Sequence, residues 1–195
     1  MDVAKRLLTA AALPVWLALL AGCGEFGQVD QGIAVGYDEA AGTVTLITDS
    51  NPAEPGQPRY NVLPPKTVAI PRDPAQMGPV PKPGLQIDLD TAAGELVVYD
   101  PSAGSLRTIS FSLVERADHI FPDDPQVQDL PRVDAAAGQV TLYSPRTREL
   151  VTITPPAEAF NLPRETWAVG DEVRYYYKDP GQALRMMNVS RTQVH

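Results

Sequence analysis

The sequence has only one cysteine, two histidines and two tryptophans among its 195 residues. It contains no G-x-S-x-G, H-E-x-x-H or P-loop motif, and a single cysteine excludes both an internal disulfide and a c-type haem attached through C-x-x-C-H. We therefore predict no catalytic residue, no cofactor, no metal site and no enzymatic activity. The enzyme hypothesis that stays open is an acidic hydrolase with paired carboxylates, because any acidic chain contains such pairs.

Positive charge is also scarce. Lysines and arginines number 16 against 24 aspartates and glutamates, so the net charge is −8, and no basic run occurs. Such a chain repels a phosphate backbone, which excludes nucleic acid as a partner. The densest acidic stretch, ADHIFPDDPQVQDLP at residues 117–131, could be a weak divalent-ion site or a solvated linker. We favour the linker, because prolines interrupt the stretch and no second histidine is close.

Long hydrophobic runs are missing except at the N-terminus. Leu7–Leu20 follows Lys5 and Arg6 and precedes small residues, which is typical of a secretory signal peptide over residues 1–22. The letters LAGC, ending at Cys23, resemble the bacterial lipobox. This resemblance implies that the signal peptide is cleaved before Cys23, and that this cysteine carries a diacylglycerol thioether and an N-acyl chain such as palmitate.

The lipid on Cys23 is predicted to hold the protein on a membrane that the chain does not cross. Gly24, rather than Asp, follows the cysteine, which resembles the sorting signal for the outer membrane in Gram-negative lipoproteins. We therefore expect a lipid-anchored protein of the cell envelope, on the outer membrane and facing the periplasm. Residues 23–31 are polar and contain glycine, as expected of a tether.

After the tether, apolar residues recur with a period of two. This alternation uses β-branched and aromatic residues, which predicts half-buried strands, and no window of the sequence favours an amphipathic helix. We predict an all-β protein with one short helical turn at residues 156–161. The clearest alternating segments are residues 43–46, 85–89, 108–113 and 172–177.

Two parts of the chain resemble each other. YDEAAGTVTLITD from Tyr37 aligns with VDAAAGQVTLYSP from Val133, and each is followed by a strand and a proline-bearing connection. This similarity predicts two tandem antiparallel β modules, each an OB-like or SH3-like barrel or sandwich. The predicted divisions are module 1 at 32–116 with a proline-rich loop at 52–83, an acidic proline-rich linker at 117–131, and module 2 at 132–195.

An Asp followed four residues later by Gly occurs in DEAAG from Asp38, DTAAG from Asp90 and DAAAG from Asp134. Calcium requires six to eight oxygen ligands, whereas each segment offers one Asp and at least two alanines, and only Glu39 in the first segment adds a second carboxylate. A hairpin turn accounts for every residue, because Asp accepts backbone N–H groups and Gly supplies the positive φ. We therefore predict turns rather than cation sites.

Trp167 and Tyr176 are the candidates for a ligand surface. In the strand EVRYYY, alternation predicts that Tyr175 and Tyr177 face the core and that Tyr176 faces outward with Arg174. An exposed tyrosine flanked by cations could stack on a sugar or bind an acidic partner. An ordinary solvent-facing strand with cross-strand pairs explains the same residues, and we favour that interpretation.

Two segments resemble a known family: LPPKTVAIPRDPAQMGPVPKPG from Leu63 and WAVGDEVRYYYKDPGQALRMMNVS from Trp167. Together with the lipobox they resemble an uncharacterised family of short lipoproteins, a domain of unknown function found mainly in sulfate-reducing bacteria. The resemblance covers nearly the whole mature chain and implies no assigned activity. We expect a non-enzymatic envelope lipoprotein, a protein-binding or structural accessory in the periplasm. The alternative is a sugar or small-solute binding module that uses Trp167 and Tyr176.

Overall fold

The computed structural model describes residues 26–54 and 56–192. These residues form twelve β-strands and four short 3-10 segments, without an α-helix. The all-β prediction is therefore confirmed, and the 3-10 segment Ala157–Asn161 is the predicted short helical turn. The strands are β1 Gln28–Asp38, β2 Thr43–Asp49, β3 Tyr60–Ala69, β4 Gln86–Asp90, β5 Glu95–Asp100, β6 Ser105–Ser110, β7 Ser112–Ala117, β8 Arg132–Asp134, β9 Gln139–Ser144, β10 Glu149–Thr154, β11 Glu172–Tyr177 and β12 Arg185–Asn188.

The strands form three antiparallel sheets, and none of the three closes into a barrel. The five-stranded sheet has the order β12-β11-β1-β2-β3. The three-stranded sheet, here called the middle sheet, has the order β4-β5-β6. The four-stranded sheet has the order β7-β10-β9-β8.

The strand pairing crosses the predicted module boundaries. β11 pairs with β1, with Val173 opposite Gly32, and β10 pairs with β7, with Leu150 opposite Ala117. Two sheets thus combine strands that precede the 117–131 segment with strands that follow it. Alternation in a sequence fixes which face a side chain takes, but it does not fix which strand lies alongside. The sheets are therefore not assembled as two successive units, and a sandwich rather than a barrel results.

One strand lies inside the region predicted as a proline-rich loop at residues 52–83. β3 contains Pro64 and Pro65 and stands at the edge of the five-stranded sheet. Proline has no N–H group, so a strand can contain it where one side lacks a neighbouring strand. The part of the predicted loop at Tyr60–Ala69 is thus an edge strand.

The middle sheet is packed on both faces. In β5, Leu96 and Val98 lie in a core shared with the four-stranded sheet, whereas Val97 and Tyr99 pack toward the five-stranded sheet. The molecule is therefore a sandwich of three layers with the middle sheet in the centre. A further core covers the other face of the five-stranded sheet; its buried members are Ala34, Val44, Leu46, Val68, Val173, Tyr175, Tyr177, Ala183 and Met186.

The three Asp-to-Gly segments are turns, as predicted. In each, a carboxylate oxygen of the Asp accepts a hydrogen bond from the N–H of the residue three positions later, at 2.8–2.9 Å. Each glycine has the positive φ that closes such a turn without steric cost. The glycines are Gly42 at φ 62°, Gly94 at φ 69° and Gly138 at φ 68°.

Candidate functional site

The predicted lipid site, Cys23, lies outside the described residues together with the predicted signal peptide. Trp167 is described, at the end of the 3-10 segment Arg164–Trp167. Its side chain is only 2% exposed and belongs to the core between the middle sheet and the four-stranded sheet. The indole ring is therefore a packing element and is not available at the surface for stacking on a sugar.

Tyr176 lies in β11 and is half-buried, while Tyr175 and Tyr177 on either side of it are buried as the alternation predicted. The Tyr176 hydroxyl accepts a hydrogen bond from the N–H of Gly27 at 3.3 Å. A Cβ on Gly27 would overlap the Tyr176 ring, so the start of the described chain lies directly against it. Tyr176 and Trp167 belong to different layers, and the fold does not bring them together into one surface.

The tyrosines that flank Tyr176 share one carboxylate. The hydroxyls of Tyr175 and Tyr177 donate to Asp30 Oδ2 at 3.3 Å and 3.2 Å. Burial raises the pKa of both hydroxyls, and the negative charge of Asp30 raises these pKa values further. Both groups are therefore neutral donors at ordinary pH, and they fix the five-stranded sheet rather than offer a reactive group.

The acidic stretch at 117–131 uses its carboxylates locally. Asp118 accepts from Arg116 Nε at 2.7 Å, and Asp124 accepts from the N–H of Gln126 at 2.9 Å, at the start of a 3-10 segment. In the part of the chain that the structure describes, no group of three or more His, Cys, Asp or Glu side chains could hold a metal ion. Nor is any helix there long and apolar enough to cross a membrane.

Several sheet edges are protected. The β4 edge is bonded by the segment 165–169, here called the covering segment: the N–H of Gln86 donates to Ala168 O at 3.0 Å. The β12 edge is bonded by Gly78, whose N–H donates to Met186 O at 2.9 Å. β3 carries two prolines, and β8 is only three residues long. Natural β proteins use such devices to prevent unwanted strand pairing.

Two further edge strands, β6 and β7, contain no proline, and among the described residues no backbone segment hydrogen-bonds to their outer sides. β6 and β7 follow each other with a single residue, Phe111, between them, and they carry the strand from the middle sheet into the four-stranded sheet. The N–H of Phe111 donates to Gly94 O at 2.8 Å, which fixes the bend. Within the described residues, β6 pairs with β5 and β7 with β10. The side of β6 that faces away from β5 and the side of β7 that faces away from β10 are here together called the open edge.

Apolar side chains are exposed along the open edge. In β7, Leu113 is 43% exposed and Val114 is 50% exposed, and Val114 is the extra residue where the pairing with β10 shifts register. Arg116 lies near the end of β7 and forms two ion pairs there, with Asp118 at 2.7 Å and with Glu149 at 2.8 Å. The hydrogen bond to Asp118 and the charge of Glu149 raise the pKa of Arg116, so the charge at this end is permanent.

A groove of about 300 Å³ accompanies β6. Four consecutive β6 residues line it, Arg107 through Ser110, and the opposite wall comes from the segment that begins at Pro156 and includes Ala159 and Leu162. Consecutive residues of a strand point to alternate faces, so a groove that touches four in a row follows the edge of the strand. The open edge therefore offers unpaired main-chain groups beside a partly apolar wall.

The sequence predicted the strand at 108–113 but not its position at an edge, because strand order is a long-range property. No curated protein and no solved structure matches this chain. A family model does match it, over residues 25–195, which include all of the strands described above. The chain therefore belongs to the family defined by DUF4881, a domain of unknown function.

Proposed function

We propose that this protein is a non-enzymatic lipoprotein of the cell envelope, anchored through Cys23 and facing the periplasm from the outer membrane, that binds another envelope protein. The anchor is supported by the lipobox letters LAGC and the signal-peptide pattern before them. The polar residues 23–31 would separate the folded domain from the lipid surface.

The open edge is the observation that carries the binding proposal. The chain protects β3, β4 and β12 with prolines or covering backbone, whereas residues 105–117 contain no proline and are covered by no backbone segment among the described residues. An extended segment of a partner can add a strand to such an edge, with main-chain hydrogen bonds for affinity and side-chain pockets for specificity. Leu113, Val114 and the groove wall at Leu162 would contact apolar side chains of that segment.

The partner segment should be apolar and neutral or basic. This chain has a net charge of −8, and an acidic segment would approach it against that charge. The alternative of a solute site at Trp167 and Tyr176 would require Trp167 to leave the core, so we do not favour it.

Site-specific photo-crosslinking in intact cells tests the proposal. A photoreactive residue at Val114, on β7, should give a discrete crosslink to one envelope protein. The same residue at Val133, which is 38% exposed on β8 at the other edge of the same sheet, is the matched control and should give none. Equal crosslinking at both positions, or none at Val114, would contradict the proposed interface.

Cys23→Ser tests the anchor separately. The variant should fold normally but move from the membrane fraction to the soluble fraction, because the acyl chains are lost. Fractionation and immunodetection measure this change. A variant that still sediments with outer membranes would refute the lipid anchor, while leaving the open edge untouched.

A further inference from the structure

A cleft of about 310 Å³ lies where the three sheets meet. β4 of the middle sheet contributes Gln86 and Asp88, and the turn between β9 and β10 contributes Arg146 and Arg148. β11 of the five-stranded sheet contributes Glu172. The volume is at the lower end of the range for small-molecule sites, about 300–1,000 Å³.

Gln86 has an unusual environment in this cleft. Its side chain is only 2% exposed, and Oε1 is buried without a hydrogen-bond partner among the described residues. Leaving a buried carbonyl oxygen unpaired costs about 1–3 kcal/mol, and native structures seldom do so. Gln86 Oε1 is therefore an unused acceptor at the wall of the cleft, and a turn of the side chain would present it to a bound molecule.

The two arginines of the cleft rest on aromatic rings. Arg146 Cζ is 5.9 Å from the centroid of the Tyr60 ring, and Arg148 Cζ is 4.8 Å from that of Phe121. The Asp88 carboxylate is 3.8 Å from Arg146, beyond hydrogen-bond distance. Within the described residues, neither guanidinium hydrogen-bonds a carboxylate. Arg146 does donate to the backbone, through Nη1 to Pro58 O at 3.5 Å and through Nη2 to Ile87 O at 3.3 Å. A guanidinium has five N–H groups, so each arginine keeps donors with which it could bind a ligand anion.

Negative charge comes from the five-stranded sheet. Glu172 is half-buried and lies close to the hydroxyl of Tyr60. Burial and the charge of Glu172 raise the pKa of Tyr60, so this hydroxyl remains a neutral donor. The cleft consequently carries two cations on the β9–β10 turn, the Glu172 carboxylate on β11, and the Asp88 carboxylate and an unpaired amide oxygen on β4.

We propose that this cleft binds a small zwitterion of the amino-acid type. Its carboxylate would pair with Arg146 and Arg148, and its ammonium group would donate to Gln86 Oε1 on the side that carries Glu172. Ile33 and Val169, which also line the cleft, would contact an apolar side chain. This binding activity is independent of both the lipid anchor and the open edge.

Calorimetric titration of the purified full-length protein tests the ligand class. Each of the standard amino acids is titrated, followed by the N-acetyl and amide derivatives of any that bind. At least one amino acid should bind, and blocking either charged group should weaken its binding by about tenfold or more, since each block removes a charge-assisted hydrogen bond. Absence of binding by all of them, or derivatives that bind as well as the parent, would overturn the proposal.

Two variants locate the site. Gln86→Met keeps the size of the side chain but removes the acceptor, so affinity should fall about tenfold while the melting temperature stays the same or rises. A purely structural role for Gln86 would lower the melting temperature instead.

Arg148→Gln should also weaken binding, whereas Arg107→Gln on the exposed side of β6 is the matched control and should not. Wild-type affinity in both Gln86→Met and Arg148→Gln would refute the site.

Discussion

The two outer edges of the middle sheet are built in opposite ways. At β4, the covering segment hydrogen-bonds to Gln86 and places Trp167 in the core. At β6, the equivalent side of the strand borders a groove, and within the described residues β5 is the strand with which it pairs. This difference between two edges of the same sheet is the basis of the proposed binding of another chain at the open edge.

Covering the β4 edge requires backbone segments to pack without side chains between them. A Cβ on Gly84 would overlap the carbonyl oxygen of Ala168, and one on Gly170 would overlap that of Ala34. Gly170, which directly follows the covering segment, therefore lies against β1 of the five-stranded sheet. Among the described residues, the outer sides of β6 and β7 have no comparable backbone contact, so changes to the two edges should have very different effects on stability.

The largest effect is expected from Trp167→Ala. Removing a side chain that is 2% exposed leaves a cavity beneath the covering segment, and the free energy of unfolding should fall by about 3–5 kcal/mol. Urea unfolding followed by circular dichroism measures the change. Phe121→Ala is the control, because that ring is 52% exposed and its loss should cost less than about 1 kcal/mol. Equal costs would contradict the burial of Trp167.

Gly170→Ala should have the next largest effect. The new methyl group meets backbone atoms, which cannot rotate away as a side chain would, so the free energy of unfolding should fall by about 1–3 kcal/mol. Gly56→Ala is the control, since a Cβ there has no neighbour within 4 Å. If the two variants unfold at the same urea concentration, the close packing at the covered edge is refuted.

Gly94→Ala tests the bend that forms the open edge. Gly94 and Gly138 have nearly the same positive φ, 69° and 68°, so alanine should strain both by about 1 kcal/mol. At Gly94 the Cβ would also lie 2.8 Å from Phe111 O, whereas at Gly138 it meets no atom within 4 Å. Gly94→Ala should therefore lower the melting temperature more than Gly138→Ala. The reverse order would show that the bend does not depend on this contact.

The smallest effect on stability is expected from Val114→Lys. The side chain is 50% exposed, so its replacement should change the free energy of unfolding by less than about 0.5 kcal/mol. Partner capture should nevertheless be lost, because a charge on the open edge hinders strand addition. Val133→Lys on β8 should match Val114→Lys in thermal unfolding but keep the partner. If Val114→Lys unfolds, Val114 is required for the stability of the fold, and the proposed role of β7 in binding is contradicted.

Local features of the fold were predictable from the sequence. The period of two identified the strands around Val44, Ile109 and Tyr175, and the Asp-to-Gly segments predicted turns with a positive φ at Gly42, Gly94 and Gly138. These features depend on residues that are close together in the chain. Side-chain alternation and turn geometry depend on only a few neighbouring residues, so both can be predicted from a single sequence.

The candidate sites were not predictable in the same way. Trp167 was a candidate for a ligand surface in the alternative hypothesis, but it packs in a core whose other members come from β4, β5, β6, β9, β10 and the 3-10 segment Ala157–Asn161. Gln86 showed no signal at all, since a glutamine in an alternating strand usually faces solvent. Gln86 is buried because the covering segment lies along β4 and the two outer sheets pack on either face of the middle sheet.

By itself, the sequence determined that this chain is an all-β protein with hairpin turns and no common catalytic motif, and that the letters LAGC at Cys23 resemble a lipobox. Only the tertiary structure decided that β11 lies beside β1, that the covering segment closes one edge, and that β6 and β7 leave another edge open. The physical reason is that strand pairing is set by contacts between residues far apart in the chain, where burial of shared apolar faces selects one arrangement among many that the same alternation allows.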